Sequence, residues 1–333
     1  MIDAAAHVNR NGASVVVIGG ANIDFKCRTL DVAVMRTSNP GITHTTLGGV
    51  GRNVAENLAL LGVSTHLITA VGRDALGDRI ITDARAAGVN LARGLRTEEP
   101  TGTYTAVFDS TGELLIAVSS MDGMLALTTE VVYRCRDVLE NATVLVLDCN
   151  IATDALRCAM RIASDANVPV MVDPVSGPKA ERLRALLETG VGVHTITPNA
   201  DELAVLVQRD IISQDDIATA AEQLHSLGVR NVWVRLGARG SYMSSATDSG
   251  VHGELIPTRT VVTDDVVEMV DVTGAGDAML AGYVYAMLRG ERTVEAARYG
   301  QIAAAITVAS DQTVNVSMSA ATLEARAARS QTL

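Results

Sequence analysis

The sequence predicts an α/β fold: a doubly wound, mostly parallel sheet flanked by helices, with a small β-sheet lid. Three observations carry this. From residue 130 onward, short apolar runs alternate with helical segments of about 10–15 residues, the rhythm of right-handed βαβ units. Ser14-Val-Val-Val-Ile-Gly-Gly20 is β-branched, uninterrupted and closed by glycines, as a strand buried on both faces should be. Two β-rich segments, about 25–47 and 100–121, interrupt the rhythm early and can pair into a separate small sheet. No Pro/Gly/Ser linker or low-complexity tract divides the chain, so one domain over 1–333 is expected.

In chain order, the first strand runs through 14–20, and Phe25–Leu30 reads as strand again. Asn39-Pro-Gly41 is a turn signal. Gly51–Leu61 places Val54, Leu58 and Leu61 on one helical face, and Gly62 ends that helix. Strand 65–71 and helix 74–87 follow. Strands near 102–108 and 113–119 flank Asp109-Ser-Thr-Gly112 as a hairpin. Helix 129–139 then leads to strand 143–148, helix 153–166 to strand 168–172, and helix 178–189 to strand 194–197. Helices 199–207 and 215–226 precede strand 231–236. Val266–Val272 is strand-like, and helices 278–288, 293–309 and a peripheral 318–333 close the chain.

The chain has 333 residues, 48% of them hydrophobic, and a net charge of −11. That length supports a large core. The acidity argues against nucleic acid or an anionic membrane as partner, since both require basic patches. Lysine occurs only at 26 and 179, and no Gly-Lys-Ser/Thr exists, which excludes a P-loop. The four cysteines form no C-x-x-C pair, so reduced thiols and a cytoplasmic protein are expected. Met1–Gly12 lacks the apolar centre of a secretory leader, and no apolar run approaches the roughly 20 residues of a membrane span. No G-x-G-x-x-G follows the first strand, which disfavours a dinucleotide-dependent oxidoreductase.

Asp271-Val-Thr-Gly-Ala-Gly-Asp277 lies between a strand-like run and an apolar helix. Small residues let a ligand approach the backbone, and the free N–H groups of a helix start attract anions. An acid there can take a proton from a hydroxyl that attacks phosphorus. The same spacing also suits a plain capped helix with Thr273 as N-cap, and spacing alone leaves both open. Likewise Asn53 in Gly48-Gly-Val-Gly-Arg-Asn53 reads as a hydroxyl ligand or a cap, Asp24 as a ligand or a turn acid, and Pro198-Asn-Ala-Asp-Glu202 as a metal-side motif or a capping box.

Taken together, these strings resemble the ribokinase-like, PfkB-type carbohydrate and nucleoside kinases, over about residues 14–320. The resemblance implies Asp277 as catalytic base and Gly274, Ala275 and Gly276 as an anion hole. It implies Asn22, Asp24, Gly49 and Asn53 as sugar-hydroxyl ligands, with Asn150 where relatives often contact the sugar through Glu. Asn199 and Glu202 are implied on the Mg²⁺ side, acting through water. Arg235, Gly237 and Gly240 are implied on the nucleotide side, and Asp271 and Thr273 beside a K⁺ ion. ATP and Mg²⁺ are therefore expected, and a homodimer through the lid. Ser38-Asn-Pro-Gly41, Asp148-Cys-Asn-Ile151 and Val172-Asp-Pro-Val-Ser176 resemble the pseudouridine-phosphorylating branch, with Thr103, Ser119 and Met121 as base contacts. Val50 stands where ribokinase itself has Lys, which counts against ribose.

Overall fold

The computed structural model describes residues 12–258 and 272–330. Numbered along the chain, β1 (Ser14–Ile18) lies between β4 (Ser64–Ile68) and β9 (Val144–Asp148), parallel to both. β10 (Val170–Asp173), β11 (Val193–Ile196) and β12 (Val229–Arg235) continue the parallel order outward. β13 (Ser241–Thr247) and β14 (Gly250–Ile256) then extend the sheet antiparallel, giving eight strands.

Alternation along the strands builds two cores. Val16 and Ile18 of β1 and Leu145 and Leu147 of β9 face one side, under α3 (Thr129–Arg134), α4 (Arg136–Glu140), α5 (Thr153–Asp165), α6 (Gly177–Leu187), α7 (Ala200–Val207) and α8 (Gln214–Ser226). Val15, Val17, Val144 and Val146 face the other. There they meet α1 (Val50–Leu60), α2 (Ala75–Ala86), α9 (Ala275–Leu288), α10 (Thr293–Thr307) and α11 (Ala320–Ser330). Successive side chains of a strand point to opposite faces, so a run apolar at every position belongs between two helical layers. The four buried side chains Val15–Ile18 each contribute about 1.5–3 kcal/mol by leaving water.

The two early segments do meet in a small sheet, in the order β3 (Gly41–Gly48), β2 (Asn22–Thr29), β7 (Thr103–Phe108), β8 (Leu114–Ser120). β5 (Ala70–Gly72) and β6 (Leu95–Thr97) form a two-stranded ribbon. The small sheet is anchored at its base by Asp74, the N-cap of α2. Its carboxylate accepts from the Gly77 and Thr101 amides and from the Thr101 hydroxyl.

Three elements differ from the sequence expectation. The helix expected over 129–139 breaks at Cys135 into α3 and α4. The antiparallel pair β13–β14 was not anticipated. The tail helix begins at Ala320 rather than at 318, and Leu323 and Ala327 pin it to the core. Most of the strand-like run Val266–Val272 lies outside the described residues. Among those described, no helix is long and apolar enough to cross a membrane, and all four cysteines are free thiols.

Candidate active site

The carboxyl ends of β1, β9, β10 and β12 open on one side of the large sheet, where open α/β sheets leave a crevice for ligands. Three backbone segments converge there. Gly19–Gly20 ends β1, and Gly49–Gly51 leads into α1. Gly49 has φ 96°, and a Cβ on it would stand 2.4 Å from the Gly20 carbonyl oxygen. Asp148, at the end of β9, fastens the two segments together. One of its carboxylate oxygens accepts from both the Gly20 and Gly51 amides at 2.7 Å, and the other accepts from the Asn150 amide at 2.8 Å. The third segment is the start of α9. Its N-cap is Gly274, with φ 82°, rather than Thr273. A Cβ on Gly274 would collide with the Thr313 carbonyl, so the turn needs glycine on steric as well as conformational grounds.

Asp277 occupies the first turn of α9, buried. Asn53 of α1 donates from Nδ2 to its Oδ2 at 2.6 Å, across 224 residues of sequence. Burial chiefly, and then the negative charge of Asp173, push the Asp277 carboxyl up to about 7; the Asn53 hydrogen bond and Arg235 oppose this. A base balanced near neutrality suits proton abstraction at physiological pH. Asn53 Oδ1 is buried and has no partner among the described residues. It is a buried acceptor with capacity for one more donor.

Asp24 and Asn22 lie on β2 at the entrance, with Asn22 Nδ2 donating to Asp24 Oδ1 at 2.5 Å. The Asp24 carboxylate lies against Gly48, where a Cβ would be 2.5 Å from it. Asn150 closes the opposite rim: its Nδ2 lies against Gly20, and its Oδ1 accepts from Lys179. Asp24, Gly49, Asn53, Asn150 and Asp277 thus surround one crevice. Thr103 and Ser119 sit on the paired strands β7 and β8, and Met121 lies against Gly102 at the foot of the small sheet.

On the β10–β12 side, Asn199 and Glu202 form a capping box at the start of α7. Arg235 donates to Asp173 at 3.0 Å and to Glu202 at 3.1 Å. The expected contact of its guanidinium with phosphate therefore needs qualification, because two carboxylates already hold it. Its Nη1 nevertheless lies against the helix start: a Cβ on Gly276 would be 2.3 Å away. The Ala275 amide, expected among the hole's donors, turns back to the Val272 carbonyl at 3.2 Å. Gly276 and Asp277 amides stand in the first turn, where no intrahelical acceptor exists. Gly237 is exposed at φ 59° in the turn after β12, while Gly240, at φ 101°, packs under the end of β14. Asp271 lies outside the described residues. Thr273 Oγ1 accepts from Lys26 Nζ at 2.9 Å. Among the described residues no three His, Cys, Asp or Glu side chains converge on a metal position.

Sequence reading quoted the strings that contain Asp148 and Asp173 but gave neither residue a role, and it gave none to Arg52. The first two announce themselves weakly, as the single acid ending an otherwise apolar strand. Arg52 is buried in α1, where it pairs with Glu56 at 2.7 Å and donates to the Leu47 carbonyl and to Thr313 Oγ1. It ties the end of β3 to the loop beneath Gly274.

Comparison with known proteins agrees with this geometry. The pfkB family carbohydrate kinase model matches residues 13–320. A pseudouridine kinase of Escherichia coli (strain K12) is 36% identical over 308 residues, covering 92% of this chain and 94% of that protein. The uncharacterized sugar kinase YeiI of the same organism is 34% identical over 306 residues, covering 92% of this chain and 81% of that protein. Among solved structures, Arabidopsis thaliana ribokinase complexed with ribose and ATP superposes with a TM-score of 0.81 at 22% identity, covering 95% of this chain and 98% of that one. A glycine turn at a helix start, a buried carboxyl and a crevice lined by carboxylates and amides on a ribokinase-type sheet therefore have a common explanation: the chain belongs to the pfkB family of carbohydrate kinases and is a kinase that transfers phosphate to an alcohol group.

Proposed function

We propose that this kinase transfers the γ-phosphoryl group of ATP to the 5′-hydroxyl of pseudouridine. The observation that carries phosphoryl transfer to a hydroxyl is the buried Asn53–Asp277 pair at the start of α9. Asp277 takes the hydroxyl proton, while Asn53 holds the carboxylate and offers its unpaired Oδ1 to the substrate. The Gly274–Gly276 turn and the N-terminal end of α9 favour the charge on the transferring group. Asp24, Gly49 and Asn150 bind the remaining sugar hydroxyls, and Gly237 and Gly240 line the nucleotide. Pseudouridine is favoured over other acceptors by the E. coli relative at 36% identity, matched over nearly its whole length.

The residues fit Mg²⁺ only as an ion carried by phosphate and water. Asn199 Oδ1 is taken by the Glu202 amide, and Glu202 Oε2 by the Asn199 amide and Arg235. The other Glu202 oxygen remains to orient a metal-bound water. When bound, Mg²⁺ screens the negative charge of the β- and γ-phosphates.

The small sheet covers the crevice as a lid and pairs with that of a second copy. β8 is exposed along its whole length, with Leu114, Leu115, Ile116 and Val118 outside the core, a patch that unpaired surfaces seldom carry. A homodimer in sedimentation, reduced to monomer by Ile116→Lys, is the expected result. Free thiols and the use of ATP suit the cytoplasm.

A substrate panel read by ADP release decides the acceptor: pseudouridine, uridine, ribose, adenosine and inosine with ATP and Mg²⁺. Turnover on ribose with none on pseudouridine would refute the assignment in favour of a sugar kinase, a second reading kept by the 34% identity to YeiI.

A further inference from the structure

Only two of the 27 basic residues are lysines, and both end at the crevice. Lys26 reaches Thr273 from the small sheet. Lys179 reaches Asn150 from α6. The second has no assigned role, and the chain goes to unusual lengths to place it. α6 follows β10 through Pro174-Val175-Ser176, where the Ser176 amide donates to the Pro174 carbonyl at 2.8 Å and Val175 has φ 69°. That is the rarer and strained of the two γ-turn forms, here on a β-branched residue that resists positive φ. The Asp173 carboxylate locks it, accepting from the Val175 amide at 2.8 Å. Strain of this kind persists where surrounding structure over-determines it, characteristically beside an active site.

The destination is specific. Lys179 stands between the ends of β9 and β10, half-buried, within the fields of Asp148 and Asp173. Neither carboxylate pairs with it. Asp148 is consumed by three backbone amides, and Asp173 by Val175, Thr197 and Arg235. Asn150 Oδ1 is the ammonium's hydrogen-bond partner among the described residues, which leaves two N–H donors. Asn150 marks the acceptor side of that ammonium, and Asp173, whose charge acts on it and which also holds Arg235, marks the nucleotide side.

We propose that Lys179 is a catalytic residue of the transfer, its ammonium holding the γ-phosphoryl oxygens between donor and acceptor. The acceptor oxygen forms its bond to the γ-phosphorus, the bond to the β–γ bridging oxygen breaks, and that electron pair leaves with ADP. The hydroxyl proton goes to Asp277. Lys179 stays protonated and neutralises charge that Arg235, already held by two carboxylates, leaves uncompensated. The proposal rests on the phosphoryl-transfer reading above, but not on pseudouridine as the acceptor.

The test uses the full chain with ATP and pseudouridine, or with ribose if only ribose turns over. Lys179→Met should lower kcat by about 10²- to 10³-fold, with acceptor KM and ADP affinity each within about threefold. Lys179→Arg should recover at least a tenth of the wild-type kcat. A Lys179→Met kcat within threefold of wild type, or a raised acceptor KM with kcat kept, would overturn the proposal. A second measurement needs no variant. With two lysines in the chain, amine acylation followed by mass spectrometry reports on each. ADP with fluoroaluminate plus acceptor should protect Lys179 more than acceptor alone does. Equal protection by acceptor alone assigns the ammonium to the acceptor and overturns the proposal. A wild-type enzyme with no turnover on any acceptor refutes the earlier reading and this one with it.

Discussion

Asp277→Asn separates the two properties that the fold has forced onto one carboxyl. The substitution keeps shape and keeps an acceptor for Asn53 Nδ2, whose bond to Oδ2 is 2.6 Å. It removes the proton acceptor, so kcat should fall by at least about 10³-fold with ADP affinity largely kept. Stability should move the other way. Burial raises the carboxyl from 3.8 to about 7, so folding favours its protonated form. A group raised in this way contributes stability fully below its unfolded value and loses that contribution as pH rises through the folded one. Between pH 5 and pH 7 each pH unit costs the wild type about 1.4 kcal/mol that the Asn variant does not lose. The variant's advantage in urea unfolding should therefore grow by about 2–3 kcal/mol between pH 5 and pH 8, then level off. In the wild type, kcat/KM should climb over the same range, with its acidic limb near 7. A variant with more than a tenth of wild-type activity would remove Asp277 as the base. An advantage independent of pH would show that the carboxyl does not titrate there.

Two neighbours should shift that acidic limb in opposite directions. Asn53→Ala removes a hydrogen bond that lowers the Asp277 pKa, so the limb should move to higher pH and the plateau fall by about 10²-fold. Asp173→Asn removes the largest charge contribution raising it, so the limb should move to lower pH; pH–rate profiles of both variants check this. Asp74→Ala loses the α2 cap and both bonds to Thr101, and should cost about 1–3 kcal/mol in urea unfolding. Because Asp74 is held below its usual 3.8, chiefly by Thr101 against the opposing effect of burial, its contribution is complete at neutral pH and is lost only as pH falls below that range.

The parallel sheet was readable because its strands are buried on both faces and so are apolar runs, as in Val144–Leu147 before the closing Asp148. β13 was not: Ser241-Tyr-Met-Ser-Ser-Ala-Thr247 shows no alternation, and its strand character comes from pairing with β12 and β14. Local strings located both glycine turns, because close backbone approach writes itself as glycine. Partnerships did not appear, since they span the sequence. Arg235 meets Asp173 from 62 residues away, and that distant pair is why a guanidinium expected on phosphate arrives already held. Thr273 was a reasonable cap by composition, but the left-handed residue the turn requires is Gly274. Lys179 was visible only as a rarity in the composition.

The meeting of Gly49 and Gly51 with Gly19 and Gly20 has a consequence for anyone wishing to retool this enzyme. Main chain rests on main chain there, and a Cβ at Gly49 or Gly51 would lie 2.4 Å or 2.7 Å from the facing backbone. No side chain can be introduced there without moving the backbone, so that wall of the crevice is a rigid mould made of main chain. Diversity has to enter through the small sheet instead, through the loop between Thr29 and Gly41 and the strands β7 and β8 between Thr103 and Ser120. Directed libraries confined to those segments should change which alcohol is chosen while leaving the chemistry of its phosphorylation untouched.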